Sequence, residues 1–520
     1  MKSLLLYRDR DFDPKAPAPP RAQDLVQDLE LEVLCQAMAA GDAFLAEIAH
    51  KAIFSLLTDG PEVLYRQDVL RDCIANPAIV RNLYRLAVEA IEREKKEYWG
   101  LLSGGNPGYL LRRSVAVLSM FGEMLRRLRH EAAAHAHCFK SVGFATLFAT
   151  LRKELDDEYL STVEAHLARL KFRHGVLLSA RLGKGNAGTD YALRKPNDDG
   201  LPWFRRLLPR GSAAYTFHIH ERDEAGAQAV ALLRDRGINI VANAMTQSND
   251  HVLGFFQMLR TELAFYVGCL NLHDWLSAKG EPLCFPQPAP HAERRFAVRG
   301  LYDVCLALKL DGPVVGNEID ADGADLVMIT GANQGGKSTF LRSVGLAQLM
   351  MQCGMFVPAR TYCANLSTGL YTHYKREEDA TMRAGKFEEE LERISAIVDH
   401  LVPDSLVLFN ESFQSTNERE GSEIGRQVVE ALLESHIRVF FVTHMYDLAG
   451  GFYQRNMANA AFLRAERRDG GLRTFKVVAA APLPTSYGKD LYEEIFAAPA
   501  AHLSASPRPG ISTLESARIS

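Results

Sequence analysis

Apolar residues recur every three or four positions through most of the stretch from 24 to 290. This spacing places them on one side of a helix, so it predicts a mainly α-helical region that buries that side. The longest run, 251–275, predicts one amphipathic helix, and a break near Gly237 separates it from helical sequence that begins at Asp223. The apolar face of this run consists of Leu253, Phe256, Leu259, Leu263, Tyr266 and Leu270.

The helical pattern is interrupted between 176 and 220, where glycine, proline and asparagine accumulate. Two short runs, 176–179 and 215–220, have the composition of β-strands and flank an irregular segment. Its basic residues, with Trp203 and Phe204 among them, are Arg181, Lys184, Arg194, Lys195, Arg205, Arg206 and Arg210. Basic residues with aromatic neighbours suit a nucleic-acid backbone, although a protein-binding surface or a simple β insertion fits the same composition.

A second basic group lies in helical sequence and comprises Arg112, Arg113, Arg126, Arg127, Arg129 and His130. Such residues either contact phosphates or form a solvated helix face. We favour the solvated face, because charge runs on helices are usually solvated. Phe121, which lies between these residues in an apolar run, is predicted to belong to the core.

A different sequence pattern begins at Phe296, where strand-length apolar runs alternate with helical stretches to about 496. This alternation is typical of an α/β domain with a parallel sheet. The expected fold class is therefore α+β and multidomain, with a mainly helical region at 24–290 and an α/β domain at 297–496. Proline-rich sequence at 1–23 predicts an extended arm outside the core, and 497–520 is expected to be a disordered tail.

The glycine-rich segment GANQGGKST follows the apolar run 326–330 and opens an apolar-periodic stretch, which predicts strand, loop and helix. It matches the phosphate-loop spacing G-x-x-x-x-G-K-[ST]. Glycines allow successive backbone N–H groups to face a phosphate, and the positive end of the new helix adds to the attraction. Lys337 is expected to reach the β- and γ-phosphates and Ser338 to hold Mg²⁺. The predicted cofactor-binding residues are Gly331, Ala332, Asn333, Gln334, Gly335, Gly336, Lys337, Ser338 and Thr339.

Two later strands end in side chains suited to nucleotide hydrolysis. The run SLVLFNES at 405–412 predicts a buried strand that ends in Asn410 and Glu411, where Glu411 can orient the attacking water. The next apolar strand ends in Thr443 and His444, and this histidine can sense the γ-phosphate. Glu411, His444 and Lys337 are therefore the candidate catalytic residues, and Ser338 and Asn410 are the candidate metal residues.

Composition excludes several classes of protein. The net charge of −4 provides no general attraction to nucleic acid, so any DNA contact must come from local patches. The eight cysteines include no C-x-x-C pair, which favours reduced thiols and a cytoplasmic location over a zinc or disulfide framework. No uncharged apolar run approaches the roughly 18 residues of a membrane span.

The segment 330–359 resembles the ATPase domain of the MutS DNA mismatch-repair family, whose loop TGPNMGGKST corresponds to TGANQGGKST here. ESFQSTNEREG at 411–421 is similar to the family's EIGRGTSTYDG, and VTHMYDL at 442–448 is similar to ATHYHEL. SYG at 486–488 also recurs in the family. The resemblance is strong over about 300–490, and over 24–290 it extends to the layout of the core and lever helices.

The resemblance implies an ABC-type P-loop ATPase that works as a homodimer with ATP and Mg²⁺. Each nucleotide would lie between the phosphate loop of one subunit and a signature segment of the other. GNEID at 316–320 resembles the loop that packs on adenine, which implies Asn317 and Ile319 as further cofactor-binding residues. DNA is the implied partner of the lever helices, and we expect it to be recognised through its backbone or shape.

The chain departs from the family pattern in ways that affect these expectations. Asn410 replaces an aspartate linked to Mg²⁺, and the amide brings no charge, so turnover is expected to be weak. The family signature STFMVEM aligns with GKFEEEL, which puts Gly385 in place of the serine that faces the partner's nucleotide, with Lys386 beside it. Only about 330 residues precede the loop, so we expect no mismatch-reading domain, and we expect no appendage after 496.

The preferred interpretation is a MutS-like ATPase that couples its nucleotide state to DNA binding. Two alternatives stay open: a nucleotide-gated clamp with little hydrolysis, and an ATPase whose helices bind a protein instead of DNA. Comparison of ATP binding with turnover separates the first alternative. A test for DNA binding at low salt, where phosphate contacts are strongest, separates the second.

Overall fold

The computed structural model describes residues 1–99, 107–172, 175–186, 188–194, 218–376, 385–468 and 473–484. The predictions for 195–217, 486–488 and 497–520 lie outside these residues. The chain divides into a helical unit (Met1–Ala22, Glu30–Pro288 and Ala347–Val357) and an α/β unit (Gln23–Leu29, Ala289–Leu346 and Pro358–Ser520). The main division at Pro288 lies within the proline-rich sequence between the two predicted regions. None of the described helices is long and apolar enough to cross a membrane.

The first helix, α1 (Ala22–Asp28), lies mostly in the α/β unit, and the helices that follow form the helical unit. These are α2 (Leu31–Ala39), α3 (Ala43–Ile53), α4 (Gly60–Ala75), α5 (Pro77–Trp99), α6 (Pro107–His135), α7 (Val142–Glu154), α8 (Asp157–Leu170) and α9 (Glu224–Ala278). A hairpin of β1 (Leu177–Leu182) and β2 (Gly188–Arg194) precedes α9.

The long helix α9 is the centre of the helical unit, and α2, α3, α5 and α6 pack against it. Five of the six residues on its predicted apolar face are buried, and Leu253 is half-buried. Phe256 stacks on Phe121 of α6 with ring centroids 5.7 Å apart. Phe121 is therefore a core residue, as predicted.

Of two predictions around the hairpin, the break near Gly237 is wrong, and the strand at 215–220 lies partly outside the described residues. Helix α9 runs through Gly237 without a break. A Cβ atom at this position would lie only 2.2 Å from Leu178 of β1, so the glycine makes room for the hairpin, at a cost of about 1 kcal/mol in helix propensity. The first predicted strand is present as β1, but its partner is β2, in which Leu193 pairs with Leu178, and residues 218–220 form no strand.

Four of the five arginines of α6 form ion pairs with acidic residues on neighbouring helices, and Arg112 donates to the carbonyl of Gly108. Their pairs are Arg113 with Glu94 (3.7 Å), Arg127 with Glu89 (2.8 Å), Arg129 with Asp157 (3.0 Å) and Arg126 with Glu164. The carboxylates lie on α5 and α8 and offset the positive charge of this face. This pairing supports the solvated helix face over a phosphate-binding surface.

The α/β unit contains two sheets and the helices that flank them. Its helices are α10 (Val304–Lys309), α11 (Lys337–Gln352, whose last residues belong to the helical unit), α12 (Lys386–Val398), α13 (Glu418–Glu434) and α14 (Tyr446–Gln454). The strands are β3 (Gln287–Ala289), β4 (Phe296–Leu301), β5 (Asn317–Asp320), β6 (Leu326–Thr330), β7 (Thr361–Asn365), β8 (Leu370–Tyr374), β9 (Leu406–Asn410), β10 (Arg438–Val442), β11 (Ala460–Arg467) and β12 (Arg473–Ala479). Among the described residues, the sheet orders are β12-β11-β6-β10-β9-β8 and β3-β7-β4-β5.

The larger sheet is parallel from β11 to β8, and only β12 runs antiparallel to its neighbour. Every residue of β6 and β10 is buried, which explains why both strands are apolar except for Thr330 at the end of β6 and Arg438 at the start of β10. Apolar residues of α12, α13 and α14 form one core cluster with these strands. The sheet thus holds the carboxyl ends of its central strands in fixed positions.

The N-terminal arm contains no helix or strand before Ala22, but it is not outside the core as predicted. Its buried apolar side chains are Leu5, Leu6 and Phe12. The buried carboxylate of Glu262 on α9 accepts the backbone N–H of Leu5 (2.7 Å) and that of Phe12 (2.8 Å). The hydroxyl of Tyr266 donates to the carbonyl of Leu5 (2.6 Å). An irregular segment has no sheet partner, so its buried backbone groups require such side chains.

We predict that Glu262 makes the stability of the helical unit depend on pH. Burial raises the pKa of this carboxyl from 4.5 to about 7. The folded state therefore binds the proton more tightly than the unfolded state between these values, and the free energy of unfolding falls as the pH rises through them. The loss is about 3 kcal/mol above pH 7.

Urea unfolding curves at pH 5 to 8 test the prediction. The signal is the far-ultraviolet circular dichroism of the helices. E262Q should remove most of the decline, because its amide does not titrate. The same change at exposed Glu47 of α3 should leave the wild-type slope unchanged. Parallel curves for wild type and E262Q would show that Glu262 is not the source.

Candidate functional site

Three neighbouring strands bring the predicted site residues to one edge of the large sheet. β6, β10 and β9 are parallel and adjacent, with Ile329 opposite Val442 and Val442 opposite Asn410. The phosphate loop follows β6, Glu411 follows β9, and Thr443 and His444 follow β10. The carboxyl edge of such a sheet is where α/β proteins bind ligands.

The loop between β6 and α11 has a backbone that requires glycine at two positions. Gly331 has φ +113° and Gly336 has φ +90°, a region that L-residues rarely adopt. A Cβ atom at 336 would lie 2.8 Å from the carbonyl oxygen of Phe475, and one at 331 would lie 2.9 Å from the nitrogen of Ala465. Hairpin β11–β12 therefore packs directly on the loop, which no sequence motif indicated.

The remaining predicted loop residues lie between these glycines or begin the helix. Ala332, Asn333, Gln334 and Gly335 form the loop, and Gln334 accepts a hydrogen bond from Arg473 (2.8 Å). Lys337, Ser338 and Thr339 are the first three residues of α11. Their backbone N–H groups are at the positive end of a helix of 16 residues, which suits an anion.

Lys337 folds back over its own loop. Its ammonium donates to the carbonyls of Gly331 and Ala332, at 3.0 Å each. Within the described residues no carboxylate lies at ion-pair distance from it, and burial lowers its pKa while the charge of Glu411 opposes that shift. A buried cation without a bound anion is costly. The loop therefore fits a ligand that supplies negative charge, as a phosphate would.

Ser338 and Asn410, the two predicted metal residues, lie within hydrogen-bond distance of each other. The Ser338 hydroxyl donates to Oδ1 of Asn410 at 2.9 Å. Hydroxyl and amide oxygens are hard ligands that suit Mg²⁺, but neither brings a charge. The described residues contain no cluster of three or more His, Cys, Asp or Glu side chains that could hold a metal by themselves. This donor set therefore fits an Mg²⁺ ion that binds together with phosphates.

Glu411 and His444 face each other across the ends of β9 and β10. Oε1 of Glu411 lies 3.8 Å from Nδ1 of His444, just beyond hydrogen-bond distance. His444 holds the pKa of Glu411 below its ordinary value, and the charge of Lys337 acts in the same direction. Glu411 is thus ionised at neutral pH and can accept a hydrogen bond from a water molecule.

Four further predicted residues lie away from the loop. Asn317 and Ile319 lie on β5 and are buried, and Oδ1 of Asn317 accepts the backbone N–H of Val477 (2.8 Å). Their contact with adenine stays a prediction. Gly385 and Lys386 are at the start of α12, where a Cβ at 385 would meet no atom within 4 Å. Nothing in the described chain therefore requires glycine at 385.

Fold and site define the class of protein: an α/β protein with a phosphate-loop geometry at the carboxyl edge of a parallel sheet. Comparison with known families agrees with this class and extends it. Residues 327–504 match MutS domain V, and residues 58–279 match the MutS2 N-terminal domain. The chain belongs to the MutS family.

Individual relatives match this chain over limited lengths. The DNA mismatch repair protein MutS of Thermus aquaticus is 34% identical over 168 residues, which is 32% of this chain and 20% of the relative. The protein of the same name from Chloroflexus aurantiacus is 31% identical over 191 residues, 36% of this chain and 20% of the relative. MutS protein homolog 4 of Mus musculus is 30% identical over 150 residues, 29% of this chain and 16% of the relative. These matches span about a fifth of the relatives' length.

We predict that G336A weakens ATP binding at least about tenfold, whereas G323A does not. Both glycines have positive φ, so alanine costs about 1–2 kcal/mol of strain at either position. Only at 336 would the new Cβ also meet a backbone oxygen, because a Cβ at 323 meets nothing within 4 Å. Calorimetric titration with a non-hydrolysable ATP analogue measures the difference. Equal affinities for the two variants would contradict the predicted role of the loop.

Proposed function

We propose that this chain binds ATP at the phosphate loop and hydrolyses it slowly. The arrangement of Lys337 carries the proposal: a buried ammonium held by loop carbonyls, within a loop that requires glycine, at the start of a helix. Family membership supports the same reading, because domain V contains the loop, Glu411 and His444.

Each residue has a role that follows from its position. Loop N–H groups and Lys337 would bind the β- and γ-phosphates. Ser338 and Asn410 would hold Mg²⁺, which neutralises charge on the phosphates. Glu411, ionised and 3.8 Å from His444, would orient the attacking water and accept its proton, while His444 donates to the γ-phosphate or to the same water.

Asn410 favours a second candidate, a nucleotide-gated clamp with little turnover. Its amide oxygen is 2.9 Å from the Ser338 hydroxyl, so it occupies the position where the family has a charged metal partner. Without that charge the metal is held more weakly, and the reaction slows more than binding does. In this case the protein would switch with bound ATP and release phosphate rarely.

Assembly and partner are part of the proposal. A homodimer would place Gly385 and Lys386 of one subunit against the nucleotide of the other. The helical unit would then bind DNA through its backbone or shape, or else bind a protein. The MutS2 N-terminal match over 58–279 supports a MutS-type role for this unit, and the net charge of −4 restricts DNA contact to local patches.

The first experiment compares ATP binding and hydrolysis in wild type, E411Q and K337A. We expect E411Q to keep ATP affinity and to lose turnover about a hundredfold, because only the orientation of water is removed. K337A should lose ATP binding, because the phosphates of ATP then have no buried cation to contact. Glu434→Gln, the same change at an exposed position on α13, serves as the matched control.

The outcomes separate the candidates. A DNA-coupled ATPase is supported if E411Q abolishes the wild-type turnover and if linear, mismatched or branched DNA stimulates that turnover at low salt. Tight ATP binding without turnover above E411Q supports the clamp. Wild-type protein that binds no ATP with Mg²⁺ would contradict both, and failure of all DNA forms to bind at low salt would favour a protein partner.

We predict that N410D raises turnover and lowers the Mg²⁺ concentration needed for half-maximal rate by about tenfold. A carboxylate beside Ser338 adds a charged ligand to the metal position. Mg²⁺ titration of the ATPase rate measures this change, and N410A, which removes the oxygen, should shift the requirement the other way. An unchanged Mg²⁺ requirement in N410D would show that Asn410 does not face the metal.

A further inference from the structure

A buried histidine lies behind the candidate site and has no part in the chemistry described so far. His373 on β8 is almost fully buried, opposite Phe409 in the sheet. Its ring stacks on Phe413, with centroids 5.8 Å apart and planes at 19°. Phe413 lies two residues after Glu411, so the ring contacts the loop that carries the candidate base.

The hydrogen bonds of His373 determine its protonation state and its orientation. Burial lowers its pKa to about 3, so the ring is neutral at physiological pH and carries one proton. Nε2 lies 3.1 Å from the carbonyl oxygen of Glu390, which only accepts, so the proton belongs on Nε2. Nδ1 lies 2.7 Å from the Ser412 hydroxyl, whose single proton is shared between Nδ1 and the carbonyl oxygen of His373, which is also 2.7 Å away. The ring therefore joins Glu390 to Ser412.

A second bond joins the same two elements. The Ser415 hydroxyl donates to Oε1 of Glu390 at 3.1 Å. Glu390 lies on α12, which begins at Lys386, and Ser412 and Ser415 lie in the loop that follows Glu411. The Ser412 hydroxyl also lies 2.7 Å from the carbonyl of His373, which brings the loop close to β8.

The loop that His373 contacts has a strained backbone. Glu411 has φ +56° and Phe413 has φ +64°, in the left-handed region that non-glycine residues seldom occupy. Strain of this kind persists only where the surroundings hold the segment in place. The two bonds to α12 supply part of that support.

We propose that His373 is a positioning residue that couples the start of α12 to the orientation of Glu411. A second subunit that contacts Gly385 and Lys386 would move α12. Because Glu390 of α12 is hydrogen-bonded to His373, and His373 to Ser412, this movement would shift Ser412 and the neighbouring Glu411. Assembly would thereby control the rate of hydrolysis without changing the phosphate contacts. The kinetic part of this inference rests on the proposed ATPase function.

The kinetic test uses H373F, which keeps an aromatic ring against Phe413 and removes both nitrogens. We expect kcat to fall about tenfold or more while KM for ATP changes less than twofold, because misorientation of the base leaves phosphate binding intact. S412A, a smaller change, should reproduce the effect, and the double variant should be no slower than H373F alone. The proposal would be overturned if kcat stayed at the wild-type value in both variants. It would also be overturned if kcat/KM fell only because KM rose.

Tyr371→Phe is the matched control for these variants. Tyr371 lies on the same strand, is buried, and donates its hydroxyl to the carbonyl of His400, away from the Glu411 loop. Tyr371→Phe removes a hydroxyl and its partly buried hydrogen bond on the same strand, so it shows whether such a loss of stability slows turnover by itself. We expect wild-type kcat in Tyr371→Phe.

Hydrogen exchange of the nucleotide-free protein tests the coupling without any turnover. Amides in 386–391 and in 412–415 should exchange about tenfold faster in H373F than in wild type, and at the wild-type rate in Tyr371→Phe. Unchanged exchange in 386–391 would overturn the coupling. If wild type neither binds nor hydrolyses ATP, the proposed function fails, and the exchange result still decides whether His373 joins the two segments.

Discussion

The parallel pairing of β6, β10 and β9 is the constraint on which the candidate site depends. Because Ile329, Val442 and Asn410 lie side by side, the three segments that follow them meet at one edge. The strands are buried on both faces, so a shift of one residue would exchange side chains of different size between two closely packed faces and separate the loop from Glu411. The same strand register is therefore required both for the packing of the core and for the geometry of the site.

Charge within the site is balanced by residues that lie far apart in sequence. Lys337 carries a positive charge into a buried loop, and Glu411 remains negative beside it because His444 lowers its pKa. An aspartate at 410 would add a second negative charge and would repel phosphates unless a metal were bound. Asn410 removes that repulsion, and it also removes the attraction for the metal. The departure from the family therefore favours binding of the phosphates and disfavours binding of the metal.

The local features of this chain could be predicted from sequence, and the long-range features could not. The phosphate loop, the apolar face of α9 and the strand ends at Glu411 and His444 depend on short runs of residues, and the structure has these elements at the predicted positions. The pairing of β1 with β2 and the packing of Phe475 on the loop depend on partners that no local pattern specifies. His373 belongs to this second group, since only the fold places it between Ser412 and Glu390.

The buried N-terminal arm has a consequence for the order of folding. Leu5 is separated by 257 residues from Glu262, the side chain that accepts its N–H. At the usual rate of translation, the arm leaves the ribosome about 10–50 s before that carboxylate is made. During this time the arm can already contact Tyr65 and Arg66 of α4, which bond to the carbonyls of Leu4 and Leu6, but the N–H groups of Leu5 and Phe12 still lack their acceptor. The arm therefore completes its buried hydrogen bonds only after α9 has been made.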